Sequence, residues 1–177
     1  MTSFAPLAQE LAQAGVRYVL IGVAGVNLYA HDAGVVFSTM DRDVFLPPDS
    51  TNLLAAWNVC EERGLRLTSS GEPLDEPRDL FLSQRVVERR AMTRADDGSQ
   101  LVVDLTLVMT GFEFEEVWAQ RAIFLLRGVE VPVARLAHII ASKAAAGREK
   151  DRLFLATHAE VLRKLLPREE PGEAQRD

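Results

Sequence analysis

Cysteine is almost missing from this 177-residue chain: Cys60 stands alone, which excludes an internal disulfide and any multi-cysteine zinc site. Histidine is scarce too, and His31, His138 and His158 show no spacing suited to a metal or a triad, so they read as surface or helix-end residues. Long apolar runs are absent. The most apolar stretch, Tyr18 to Val26, is too short to cross a bilayer and is broken by Gly22 and Gly25. No basic segment precedes an apolar one near Met1, so no secretory signal and a cytoplasmic location are expected. Nor is there a basic excess: 20 Lys and Arg against 26 Asp and Glu leave a net charge of -6, which argues against a broadly basic nucleic-acid coat protein. Walker-type glycine-lysine loops, nucleophile elbows and internal repeats are all missing.

What remains is an ordinary globular balance, 47% hydrophobic and 26% charged, at a length that suits one domain with a real core. The spacing predicts a first helix from near Ser3 to Gly15, then a buried strand over Val16 to Ile21. A tight transition at Gly22-Val-Ala-Gly25 leads into a helix ending near Ala30. A second strand is expected over Asp41 to Leu46, stopped by Pro47 and Pro48, followed by a helix capped by Asp49 or Ser50 and ended by Gly64. Cys60 lies on that helix as a buried small residue. The least legible segment is 65–84, read as a turn near Gly71 to Pro77 and a short helix. Val86 to Thr93 and Leu101 to Val108 read as a hairpin around Asp96-Asp-Gly-Ser99. A helix over Phe114 to Arg121, a small hairpin around Arg127-Gly128 and two helices split by Gly147 follow. The domain is expected to fill 1–166, with an acidic, disordered tail over 167–177. This order suggests an α+β protein with a mixed sheet and helices mainly on one face.

The segment Thr39-Met-Asp41-Arg-Asp43-Val-Phe-Leu46 carries the chemistry. Strand side chains alternate, so Asp41 and Asp43 share one face while Val44 and Leu46 take the other. Adjacent same-face carboxylates repel unless a cation lies between them. In Leu101 to Val108 the same logic turns Asp104 and Thr106 away from a core made by Val103, Leu105 and Leu107. If the two strands are neighbours, three carboxylates meet on the open face. Hard oxygen donors without histidine or cysteine suit Mg²⁺ or Mn²⁺. Asp-x-Asp alone is a weak signal, more often a solvated edge or a turn; the third carboxylate on another apolar strand strengthens it. Arg42, between the two aspartates on the core-facing side, is expected to escape at the strand end or pair with a carboxylate there.

With Tyr18-Val-Leu-Ile-Gly22, a helix through Asn27 and Leu28, Thr39-Met-Asp41-Arg-Asp43 and Val103-Asp104-Leu105 in this order, the chain resembles the polymerase-β-like nucleotidyltransferase superfamily. Its nearest branch by these motifs is the small bacterial proteins related to AbiEii-type toxins and minimal nucleotidyltransferases. Lys143 and the run Gly147-Arg148-Glu149-Lys150-Asp151 are similar to that family's later segments. The resemblance, over about residues 10–165, implies that fold and makes Asp41, Asp43 and Asp104 the metal-binding and catalytic residues. It also implies phosphate or cofactor contacts from Gly22, Thr39, Lys143 and Lys150, with Arg148 a weaker candidate and Asp151 either orienting Lys150 or capping the last helix. Gly22 reads equally well as a simple tight turn. Three departures stand out: Val23 replaces a glycine or serine, Phe37 an arginine, and Phe154 an aspartate.

The expected activity is transfer of a nucleoside monophosphate from a triphosphate to an acceptor hydroxyl on tRNA, protein or a small molecule. A toxin-like role with an antitoxin-like protein partner, and no membrane, is implied by the same resemblance. The alternative is a catalytically degenerate nucleotide- or partner-binding module, which the departures at Val23 and Phe37 favour.

Overall fold

The computed structural model describes residues 4–166, and the tail expected over 167–177 lies outside them. Helix α1 (Phe4–Gln13) buries Leu7 and Leu11, and strand β1 (Val19–Ile21) then leads directly into α2 (Gly22–Ala30). A short 3₁₀ turn, His31–Ala33, precedes β2 (Asp41–Phe45) and α3 (Ser50–Glu62). Asp49 caps α3 by accepting a hydrogen bond from the Asn52 backbone N–H at 2.7 Å, which satisfies one of the free donors at the helix start. The remaining elements are β3 (Arg66–Ser69), β4 (Glu72–Pro73), α4 (Leu80–Glu88), β5 (Thr93–Asp96), β6 (Val102–Thr106), α5 (Phe114–Ala119), β7 (Ala122–Leu126), β8 (Val129–Val133), α6 (Leu136–Ala146) and α7 (Glu149–Leu165).

All eight strands join one mixed sheet in the order β4-β3-β5-β6-β2-β1-β8-β7. The β2–β6 and β1–β8 pairs are parallel and the others antiparallel. Alternation along the central strands divides the core. Leu20, Val44, Val103 and Leu105 point to a face closed by α1, α3 and α4 through Leu7, Trp57 and Val86. Val19, Ile21 and Phe45 point to the other face, where Phe114, Leu136, Ile139 and Leu162 from α5, α6 and α7 cover them. At the centre of the first face, the buried Trp57 indole N–H donates to the Thr93 hydroxyl at 2.9 Å, tying α3 to β5. No helix among the described residues is long and apolar enough to cross a membrane.

Three expectations need correction. Helices do not lie mainly on one face: α5–α7 build a second apolar layer, because β1 and β2 carry branched or aromatic residues on both faces and each must be covered. Val86 lies in helix α4 and not in a strand; Asp79 caps that helix by accepting from the Leu82 backbone N–H at 2.9 Å, and Ser83 and Val86 face inward at helical spacing. Docking on α3 thus outweighs the β preference of Val86-Val87. The segment after Gly64 contains two strands, of which β3 pairs with β5 and buries Leu67, one apolar residue being too little to announce a strand.

Candidate active site

The second helical layer covers only part of its face, and the acidic residues occupy the rest. Because β2 and β6 run parallel in register, Asp43 stands directly beside Asp104, while Asp43 faces Ile21 across the antiparallel β1. Neighbouring strands lie about 4.8 Å apart, so the two carboxylates are immediate neighbours, with Asp41 two residues along the same face. The strand-level placement expected from the sequence is therefore met. Burial, reinforced by the charges of Asp41 and Asp104, pushes the Asp43 carboxyl up to about 6, and Lys143 and Lys150 oppose the shift.

Gly22 is where the chain turns from β1 into α2, with φ at +66°. A β-carbon there would collide with Asp43 Oδ2. Glycine thus serves twice, adopting a left-handed backbone and leaving room for the carboxylate beside it.

Arg94 completes this acidic face. It lies on β5 directly across the antiparallel pair from Asp104. Its Nε donates to Asp104 Oδ1 at 2.6 Å and a terminal nitrogen donates to Oδ2 at 2.8 Å, a two-pronged clamp. The same nitrogen stands 3.8 Å from Asp41 Oδ2. The Asp104 side chain is only 6% exposed, whereas that of Arg94 is 43% exposed. Thr39, expected to contact a cofactor, instead donates its hydroxyl to Asp41 Oδ1 at 3.0 Å and so orients that carboxylate. Arg42 is buried on the opposite face; among the described residues it pairs with no carboxylate, and it donates to the Met40 carbonyl at 3.0 Å.

A cavity of about 430 Å³ opens between Gly22, Asp43 and helix α6, lined further by Met92, Thr106, Val108 and Lys143. Lys143 leans over the Phe154 ring, 5.3 Å from its centre, and donates to Asp151 Oδ1 at 2.8 Å. Arg148 donates to the other oxygen of Asp151 at 2.6 Å. Burial alone would raise the Asp151 carboxyl, but the hydrogen bonds and charges of Lys143 and Arg148 outweigh it and hold it below the usual range. Asp151 therefore orients Lys143 and not Lys150, which is exposed on the first turn of α7. The two aromatic departures meet: the rings of Phe37 and Phe154 lie 5.4 Å apart, edge to face, and both pack on His158. His158 and His138, which stacks on Phe112 at 4.7 Å, are thus half-buried aromatic partners, whereas His31 is exposed. Cys60 is buried in the core as expected, and burial pushes its thiol up to about 12.

Of the residues expected at a site, Asp41, Asp43 and Asp104 are neighbours on β2 and β6, Gly22, Asp43 and Lys143 line one cavity, Thr39 supports Asp41, and Lys150 acts on Asp43 through its charge. Among the described residues, no three Asp, Glu, His or Cys side chains are arranged, as they stand, to hold a metal ion. Sequence reasoning missed Arg94, although a hairpin partner to the Asp104 strand was the place to look for a counter-charge. It also missed Met92 and Thr106 as cavity lining and the pairing of Asp151 with Lys143.

No protein-family model matches the sequence, and no curated protein matches it. Among solved structures, the chain is similar to an antigenic nucleotidyltransferase-like protein from Paracoccidioides brasiliensis, at 17% identity and a TM-score of 0.58, over 98% of this chain and 78% of that one. At that identity the likeness speaks for architecture alone: the chain shares the overall fold of that protein.

Proposed function

We propose that this protein is a nucleotidyltransferase that uses Mg²⁺ or Mn²⁺ to move a nucleoside monophosphate from a nucleoside triphosphate to an acceptor hydroxyl. The observation that carries this reading is the in-register pairing of Asp43 with Asp104, with Asp41 two residues along the same strand, and Asp43 lining a cavity together with Lys143. The residues fit a hard divalent ion in type: three carboxylates, no histidine or cysteine in the cavity lining, and a glycine that leaves room beside Asp43. When bound there, the ion would supply charge stabilisation at phosphorus.

The chain's own groups divide the remaining work. Asp41, Asp43 and Asp104 would hold the ion, and Thr39 fixes the angle of Asp41. Lys143, held from behind by Asp151, offers its ammonium to a phosphate oxygen, and Gly22 lets the backbone come close to one. In the transfer, the acceptor oxygen bonds to the α-phosphorus and its proton passes to a carboxylate of the trio. The bond from that phosphorus to the bridging oxygen breaks, and pyrophosphate leaves. The paired exchange at Phe37 and Phe154 supports activity over degeneration, because two apparent losses become one packed aromatic contact that also underlies Lys143. For the acceptor, a net charge of -6 weighs toward a protein or small-molecule hydroxyl over tRNA, whose phosphates a basic surface would gather. A toxin-like role with an antitoxin-like protein partner belongs to this same reading.

A second reading, a nucleotide- or partner-binding module without catalysis, is favoured by the guanidinium that holds Asp104. Calorimetric titration with ATP, GTP, CTP and UTP plus Mg²⁺, on wild type and Asp43→Ala, separates the two. Saturable binding that needs Asp43, with nucleotide incorporated into an acceptor, supports transfer. Saturable binding without incorporation supports the module, and no binding sinks both.

A further inference from the structure

Two of the three carboxylates, Asp104 and Asp41, share one guanidinium on this face, and that guanidinium sits on both oxygens of the most buried carboxylate. Asp104 can offer little more than those two oxygens, since its side chain is 6% exposed. A divalent ion reaching for Asp104 therefore meets a competitor already in place. The competitor can leave: the Arg94 side chain is 43% exposed, and its other acidic neighbours are Asp41, a looser 3.8 Å away, and Asp96, which acts on it through charge. The register makes the contact a built-in one, because Arg94 and Asp104 are direct cross-strand partners on one face of the β5–β6 hairpin. Among the described residues no ready three-carboxylate arrangement stands, and both oxygens of Asp104 are engaged by Arg94.

We infer that Arg94 is an internal counter-cation of the carboxylate trio, and that a divalent ion binds there only by taking Asp104 from it. This rests on the reading of the trio as a metal site. In the resting protein Arg94 keeps the acidic face folded and partly neutral; on metal binding it swings outward, so the arginine sets the threshold concentration at which the site fills. Two bonds to a charged group make the competition substantial, each of a kind that is among the stronger hydrogen bonds in proteins.

Mn²⁺ binding, followed by the electron spin resonance signal of free Mn²⁺, tests this on wild type, Arg94→Gln, Arg94→Lys and Asp43→Asn. Removal of the competitor should tighten Mn²⁺ binding by about tenfold or more in Arg94→Gln, with Arg94→Lys between it and wild type. A readout on the unaltered protein stands beside it: the Arg94 Nε–H proton, protected by Asp104, should become fast-exchanging by NMR when diamagnetic Mg²⁺ is added. Saturable Mn²⁺ binding that is lost in Asp43→Asn but equal or weaker in Arg94→Gln, with Nε–H unchanged by Mg²⁺, overturns the role of Arg94 and leaves the metal site standing. If no variant binds Mn²⁺, or binding ignores Asp43, the metal reading falls and the competition falls with it.

Discussion

Asp104 and Asp151 are both almost fully buried carboxylates held by two-pronged cationic contacts, yet their surroundings are opposite in charge balance. Asp151 receives two cations, Lys143 and Arg148, one for each oxygen, and sits deep between α6 and α7. Asp104 shares a single guanidinium with Asp41 and lies beside Asp43. One cluster has more positive than negative charge and is complete as folded. The other has two negative charges in excess, the sum of three carboxylates and one guanidinium, and burial, reinforced by the charges of Asp41 and Asp104, holds Asp43 at about 6. Protons or further cations nearby relieve the repulsion within the second arrangement.

The largest expected effect breaks the balanced cluster. Asp151→Ala leaves Lys143 half-enclosed and unpaired, and urea unfolding should register a loss of about 3 kcal/mol. Asp104→Asn, at similar burial, should cost less than about 1 kcal/mol, because relief of repulsion with Asp43 offsets the weakened contact to Arg94. Equal losses for the two substitutions would erase the contrast.

Asp43→Asn should do the reverse and stabilise the ion-free protein. A carboxyl whose folded-state proton affinity is raised contributes stability that is fully present below its unfolded range, near 3.8, and is lost as pH rises through about 6. The variant has no such loss. Its advantage over wild type should therefore be near zero at low pH and grow to on the order of 2 kcal/mol above neutrality, read from thermal or urea unfolding across pH. A gain that does not change with pH would mean that repulsion within the trio is not its source.

Gly22→Ala probes the same carboxylate by shape. The left-handed backbone costs about 1–2 kcal/mol with a β-carbon present, and the collision with Asp43 Oδ2 adds to it. In a double-mutant cycle with Asp43→Ala the cost should shrink toward the backbone share alone; strict additivity would rule out the contact. The smallest effect is expected at Arg66, whose pair with Asp96 has a 75% exposed arginine. Arg66→Ala should change unfolding free energy by no more than about 0.5 kcal/mol, and a larger loss would show that solvent-facing pairs carry weight in this protein.

Much of the site was legible because it depends on local periodicity. Asp43 adjoins buried Val44 and Asp104 lies between buried Val103 and Leu105, whose packing turns both carboxylates to the other face; Asp41 follows by two-residue alternation, which needs no tertiary information. The last two helices and the hairpin at Arg127-Gly128 were legible for the same kind of reason, carrying their own turn glycines. What escaped was decided at a distance. Val86-Val87 resembles a strand until α3 offers it a helix-shaped partner, and β3 becomes a strand only because β5 lies beside it. Arg94 escaped because the expected hairpin strand ended one residue short of it, at Thr93.

The sequence by itself determined that three carboxylates would point away from an apolar core on two strands, since side-chain alternation is a property of the backbone. Only the tertiary structure decided that β2 and β6 would be parallel neighbours in register, that Arg94 would face Asp104, and that Asp151 would bind Lys143. Pairing between strands and helices far apart in the chain is chosen by the packing of the whole sheet, and no short stretch of residues contains that choice.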